Sequence, residues 1–450
     1  MHPAAPEQLI RPRWIAPVTD GSPVLAEHAV LVRDGAIAAV GPAAELAHAH
    51  PAATAVELPG HLLVPGFVNA HCHAAMTLLR GAGDDLPLES WLAERIWPLE
   101  RALVSDAFVH DGTVLACREM LLGGVTCFSD MYFFPEAVGR AALAMRMRAV
   151  LGIVVFDFPS PYGAGPGDYL SKGLALRDEL RDQARLSFSL SPHAPYTNSD
   201  ETLRRIASLA AELQLPVATH LHETEREVKE SLALHGERPI ARLERLGLLG
   251  PEFIAIHAVH MSDEDIARLA RAGASLVTCP HSNLKLASGI ARVGAMARAG
   301  INVAVGTDGA ASNNRLDVLA ESRLAALLAK AETGDAAVFD AHQALHALTR
   351  AGAQALGLAD RIGSIEPGKR ADLVALDLSA PEYGPVLDPV ATLVHAAGRE
   401  AVTDVWIDGE RVVTERQIAN SLSREAVGTV VRGSPLWHNR LGEFVSGRAV

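Results

Sequence analysis

The chain has 450 residues, more than one ordinary domain needs and right for a large barrel with a smaller module attached. Its formal charge is -13, with no block of Lys or Arg, which speaks against binding a nucleic-acid backbone and for a small neutral substrate. Hydrophobic residues make up 49%, yet there is no uninterrupted apolar run of ~18 residues, so no transmembrane helix and no membrane partner are expected.

The first sixty residues read as β. Val30–Arg33 and Ile37–Val40 flank Asp34-Gly35, a strong two-residue hairpin signal. The same signal returns near the end, where Val405–Ile407 and Arg411–Val413 flank Asp408-Gly409. Two β segments at opposite ends of a chain can pair into one small sheet module, with everything between them as an insertion.

From about Leu63 to Leu358 short β-branched runs alternate with helical stretches. The predicted strands are Val125–Phe128, Ala149–Ile153, Leu186–Leu190, Val217–Thr219, Ile254–Ile256, Ser275–Thr278 and Val303–Val305. Asn198-Ser199-Asp200-Glu201 opens one amphipathic helix, with Leu203, Ile206, Leu209, Ala210 and Leu213 on its apolar face. Ser262-Asp263-Glu264-Asp265 opens another with a variant capping box. Repeated strand–helix units over ~300 residues imply a parallel sheet, and a closed (β/α)8 TIM-type barrel fits that length. The fold class is therefore α/β: residues 1–62 and 361–450 supply a small β-sandwich and a C-terminal helical tail, and residues 63–360 the catalytic barrel. The four cysteines, Cys72, Cys117, Cys127 and Cys279, lack CxxC spacing and read as inert core residues in a reducing cytoplasm. MHPAAPEQLIRPRW has no basic region followed by an apolar run, so no secretory signal is expected.

Every candidate ligand falls at the C-terminal end of a predicted strand, the face on which such barrels carry their active sites. Asn69-Ala70-His71-Cys72-His73 follows the apolar run LLVPGFV. In an extended segment residues i and i+2 point the same way, so His71 and His73 can share one metal. Thr219-His220-Leu221-His222-Glu223, Ile256-His257 and Gly306-Thr307-Asp308-Gly309 close three later strands. Three histidine nitrogens and one carboxylate make a zinc shell with a position left for water. Glu223, three residues past His220, can take a proton from attacking water and pass it on. A single strand-end histidine is more often structural than ligating, and His222, His260 and His281 fall in that class; the combination of HxH, HxxE, a later His and a later Asp is what points to a metal. A metal pair bridged by a modified lysine needs a lysine after the fourth barrel strand. Leu186–Leu190 and the following Ser191–Tyr196 contain none, which favours a single metal. The HxE…PCxxC pattern of the unrelated zinc deaminases is also absent.

NAHCHAAM, SPHAPY, THLHETE, IHAVH, CPHSNLKLASG and VGTDGAASNN resemble the amidohydrolase superfamily, specifically its methylthioadenosine/S-adenosylhomocysteine deaminases. The similarity extends to GSIEPGKRADLVALDL and DVWIDGERVV near the end, and LPLESWLAERIWPLE is the segment most particular to that group. The resemblance implies one zinc per subunit on His71, His73, His220 and Asp308, with iron, manganese or cobalt as alternatives. His257 then orients the attacking water with Asp308, and Glu223 protonates the ring nitrogen beside the amino-bearing carbon. Glu100 would bind the ribose hydroxyls, Trp91 would cover the nucleoside, His193 would hydrogen-bond it, and Ser312 would face the purine edge. Without the resemblance, LPLESWLAERIWPLE reads as an ordinary amphipathic helix. The implied reaction converts 5′-methylthioadenosine to 5′-methylthioinosine and ammonia in a cytoplasmic homo-oligomer.

One departure bears on substrate choice. Members that accept S-adenosylhomocysteine carry arginines after the third strand, whereas Gly152–Leu176 has no arginine and only Lys172, with Arg148 just before it. That favours methylthioadenosine and adenosine. Two other readings compete: a triazine, guanine or amide-ring hydrolase, which would have no diol for Glu100 to bind, and a catalytically silent metal-binding scaffold, which would have no need of Glu223.

Overall fold

The computed structural model describes residues 7–419, 430 and 437–442. Eight parallel strands form the barrel: β1 Phe67–Cys72, β2 Val125–Asp130, β3 Arg148–Val155, β4 Leu186–Pro192, β5 Val217–Leu221, β6 Phe253–His257, β7 Ser275–Thr278 and β8 Asn302–Val305. They pair in sequence order from β1 to β8. All but a few positions are buried, as expected of strands covered on both faces. Asn69 closes the ring: its Nδ2 donates to Thr307 Oγ1 at 2.8 Å, its Oδ1 accepts from Thr307 N–H at 3.0 Å, and Asp308 N–H donates to His71 O at 3.1 Å. Gly306 permits this approach, because a Cβ there would lie 2.7 Å from His71 O.

The chain ends meet in one nine-stranded sheet. Thr54–Pro65 from the first part pairs antiparallel with Leu373–Asp377 from the last, Leu63 opposite Ala375. Both hairpins turn where expected: Asp34 and Gly35 have φ of 51° and 75°, and Asp408 and Gly409 of 49° and 72°. Ile10, Val30, Leu63, Leu373 and Trp406 form the apolar core of this sheet, drawn from both ends of the chain. Of the expected helical tail, only 430 and 437–442 lie among the described residues, and they are helical.

Arg148 fastens the two parts together. It opens β3 at the floor of the barrel, fully buried, and pairs with Asp372 at 3.0 Å and Asp408 at 2.8 Å. Arg185 and Arg370 converge on Asp408 too. Arg148 is thus committed to the face opposite the strand ends that carry the candidate ligands.

Cover helices start at the caps read from the sequence. Ser199 accepts from Thr202 N–H ahead of Asp200–Leu213, and Ser262 and Asp265 form a capping box ahead of Asp263–Arg271. The segment 88–103 departs from an ordinary helix. Between Leu88–Ser90 and Trp97–Leu103, Trp91–Ile96 forms a π-helical turn in which Trp97 N–H reaches back five residues to Leu92 O. Pro98 is the physical reason: in a regular helix its ring would collide with the carbonyl four residues back, and the wider turn relieves it.

Candidate active site and metal centre

His71 and His73 flank Cys72 at the end of β1, His220 lies in β5, and Asp308 follows β8. Their four ligand atoms all lie within 4.8 Å of one another. His220 Nε2 is 3.3 Å from His71 Nε2, and Asp308 Oδ1 is 3.1 Å from His73 Nε2 and 3.4 Å from His71 Nε2.

Surrounding groups aim these atoms. His73 Nδ1 donates to Met131 O at 2.6 Å and His220 Nδ1 to His193 O at 2.7 Å, so each ring turns Nε2 inward. Asp308 Oδ2 accepts from both Ser282 Oγ and Ser312 Oγ at 2.6 Å, which leaves Oδ1 facing the histidines. Asp308 itself holds a left-handed φ of 59°. Such a conformation is uncommon outside glycine and persists only where the surroundings over-determine it.

Burial pushes His71 down to about 4 and His220 well below its ordinary value, so both are neutral donors. Burial also opposes charge on His73, but Asp308 outweighs it and holds His73 at about 9. Asp308 is depressed: burial would raise it, and the hydrogen bonds from His71 and His73 prevail. Two neutral imidazoles, a third that sheds its proton on binding, and one carboxylate oxygen, all converging, fit a divalent ion of intermediate softness.

His257 ends β6 with φ 68° and stands beside this group, its ring stacked on His220 at 5.4 Å between centroids. Its Nδ1 donates to Asn283 Oδ1 at 2.8 Å, and its Nε2 lies 3.8 Å from Glu223 Oε2. Glu223 is buried, and burial raises its pKa, with His257 opposing. Metal ligands, His257 and Glu223 thus share one corner.

That corner opens into a cavity of about 690 Å³, lined also by Trp91, Glu100 and His193. Nine residues are two and a half turns of a regular α-helix, which would set Trp91 and Glu100 on opposite faces. The π turn between them underwinds the segment, and both reach the cavity wall. Glu100 Oε1 accepts from Tyr132 Oη at 2.7 Å, and burial raises its pKa to about 7, Tyr132 opposing. His193 stacks on Phe156 at 4.6 Å, and burial takes it down to about 3, so it serves as a neutral imidazole.

Ser312 departs from expectation. It stands behind Asp308, its hydroxyl spent on Oδ2, and it is not part of the cavity wall. A serine four residues after a strand-end aspartate folds back on that aspartate more readily than it reaches a ligand. His222 and His260 are structural: His222 Nε2 accepts from Ile240 N–H at 3.1 Å, and His260 Nε2 donates to Ser288 O at 2.7 Å. All four cysteines are buried and unpaired, with thiols pushed up by burial.

Phe156, Phe158, Pro159 and Pro161 form one wall of the cavity, while Tyr162 lies off it. Lys172 Nζ is held by Tyr162 O at 2.6 Å and Asp168 at 3.0 Å, away from the cavity. Sequence reasoning passed over Arg101, the residue after Glu100, which is the one arginine or lysine of the cavity wall among the described residues and is exposed to solvent. It also passed over Tyr132, Ser282 and Asn283. The last two sit within CPHSNLKLASG, so the motif was visible while its roles were not.

The profile of the Amidohydrolase family matches residues 62–412, and that of a bacterial imidazolonepropionase-like composite domain matches residues 29–53 of the sheet. The chain belongs to the amidohydrolase family. A 5-methylthioadenosine/S-adenosylhomocysteine deaminase of Teredinibacter turnerae is 44% identical over 95% of this chain and 96% of its own length. An adenosine deaminase from Xanthomonas campestris, solved with bound zinc, superposes with a TM-score of 0.93 at 44% identity, over 97% of this chain and 98% of that one. An atrazine chlorohydrolase from Arthrobacter aurescens, solved with zinc, shares the fold alone: TM-score 0.89, 23% identity, 95% of this chain and 100% of that one. The family, the zinc-bound neighbour and the cluster together indicate a divalent metal held by this amidohydrolase. No helix among the described residues is long and apolar enough to cross a membrane.

Proposed function

We propose that this amidohydrolase removes the exocyclic amino group of adenine nucleosides, converting 5′-methylthioadenosine and water to 5′-methylthioinosine and ammonia. The observation that carries this reading is one cavity whose wall joins Glu223 and the cluster residues His73, His220 and Asp308 to Glu100 and Trp91. A free purine base or a triazine has no diol for a buried carboxylate to bind. The names of the Teredinibacter turnerae and Xanthomonas campestris relatives support the same substrate class.

A divalent metal on His71, His73, His220 and Asp308, zinc by analogy with the solved neighbour, supplies the Lewis acidity that lets water attack near neutral pH. Glu223 takes the proton of the attacking water and delivers it to the ring nitrogen beside the amino-bearing carbon. His257, fixed by Asn283, and Asp308, fixed by two serines, hold the water on line. The proton of the newly added hydroxyl then passes to the amino nitrogen, the carbon–nitrogen bond breaks, ammonia leaves and a carbonyl remains at that carbon. Trp91 covers the nucleoside, Glu100 accepts from the ribose, and neutral His193 hydrogen-bonds the substrate. Ser312 acts through Asp308.

The aromatic wall from Phe156 to Pro161 suits a methylthio group, since sulfur packs well against ring edges. S-adenosylhomocysteine ranks below methylthioadenosine and adenosine. A solvent-exposed pair with Arg101 returns at most about 1 kcal/mol, less than the several kcal/mol that a poorly paired, partly buried tail costs. The division at 1–62, 63–360 and 361–450, one zinc per chain, homo-oligomeric assembly and a cytoplasmic location, the last supported by four free cysteines, belong to the same proposal.

The Glu223→Gln variant tests the assignment. It should keep stoichiometric metal and bind nucleoside, while turnover falls at least ~10²-fold. Metal loss would make Glu223 a ligand, and full turnover would remove it from the chemistry.

A further inference from the structure

Behind the proton carrier lies a second carboxylate. Glu227 belongs to the helix Glu225–His235, whose N-cap is Thr224, and is only 5% exposed. Thr224 Oγ1 accepts from Glu227 N–H at 3.2 Å. In a capping box the glutamate at this position returns to the backbone N–H of the cap residue itself. Glu227 reaches past it: Oε1 accepts from His222 N–H at 2.9 Å and Oε2 from Glu223 N–H at 2.8 Å. Both oxygens of one buried carboxylate thus hold two consecutive peptides, and one of these is the amide of Glu223.

The loop needs such a hold. His222 takes a left-handed φ of 52°, which a non-glycine residue keeps only when its surroundings insist. From the other side its ring is fixed by His260 O at 3.2 Å and Ile240 N–H at 3.1 Å. Glu223 lies between these anchors and the cavity, so Glu227 sets where the proton carrier's backbone stands relative to His257.

We propose that Glu227 is a positioning residue for Glu223, fixing the backbone from which the proton carrier meets both water and ring nitrogen. This rests on the reading above that Glu223 moves the proton. The alternative role is a helix cap that stabilises the fold and leaves the chemistry alone.

Glu227→Gln can accept only one of the two N–H groups and turns its own NH₂ toward the other. Expected are stoichiometric metal, an unchanged KM and kcat lowered about 10- to 100-fold, the scale on which small misplacements act. Glu227→Asp keeps the carboxyl group but is one methylene shorter, and serves with the same expectation if the glutamine variant does not fold. The double variant Glu223→Gln/Glu227→Gln decides between positioning and stability, because residues acting as one unit do not multiply their losses. It should be no slower than Glu223→Gln alone. An unchanged kcat per metal-loaded molecule, loss of metal, or losses that multiply would each overturn the proposal. Full turnover by Glu223→Gln would instead overturn the reading beneath it.

Discussion

Replacing Ser312 by alanine separates two roles for that residue. The wild-type hydroxyl donates to Asp308 Oδ2 at 2.6 Å, beside Ser282 at the same distance. The variant keeps the Ser282 contact and the backbone, and loses one of two hydrogen bonds to a buried ionised carboxylate. A hydrogen bond to a charged group contributes about 1.5–3 kcal/mol, which is tenfold to about a hundredfold in an equilibrium constant. Because Oδ2 is the pinned oxygen and Oδ1 faces His71 and His73, that loss falls on metal retention. The assay is competition for the metal with a chelator of known affinity, followed by steady-state kinetics at saturating metal. We expect the metal Kd to rise by that factor and KM for nucleoside to stay within about twofold. A raised KM with an unchanged metal Kd would refute the reasoning and return Ser312 to the purine edge.

Glu100→Ala should lower kcat/KM for adenosine about tenfold to a hundredfold, since one charged hydrogen bond is lost; equal losses with adenosine and 2′-deoxyadenosine would place Glu100 away from the diol. Metal affinity should depend on pH in a definite direction. His73 is held at about 9, so below that pH an incoming metal must displace its proton. Apparent affinity should therefore fall about tenfold for each unit of acidification, read by chelator competition at two pH values one unit apart, and a flat profile would contradict it. 

The strand ends were readable because their chemistry obeys short-range rules. His71 and His73 sit two apart in an extended segment, and His220, His257 and Asp308 each close a β-branched run, so the barrel's geometry alone gathers them. Both Asp-Gly hairpins were readable for the same reason, since the turn requires positive φ at both positions. What stayed hidden depends on packing between distant segments. No pattern within 88–103 announces that Pro98 forces a π turn and brings Trp91, Glu100 and Arg101 onto one wall. Tyr132 meets Glu100 across 32 positions, and Ser282 meets Asp308 across 26. Arg148 lies beside the third strand in sequence, yet it opens that strand at the barrel floor, where Asp372 and Asp408 claim it. The resemblance set Ser312 at the purine edge, and proximity to Asp308 in sequence does not reveal which side of the aspartate it takes.

Ammonia release by the metal-loaded protein tests the central claim most directly, with methylthioadenosine, adenosine, S-adenosylhomocysteine and guanine offered in turn. The cavity predicts kcat/KM falling in the order methylthioadenosine, adenosine, S-adenosylhomocysteine, with guanine inert. Preferred turnover of guanine, or no ammonia from any adenine nucleoside while the metal stays bound, would contradict the account.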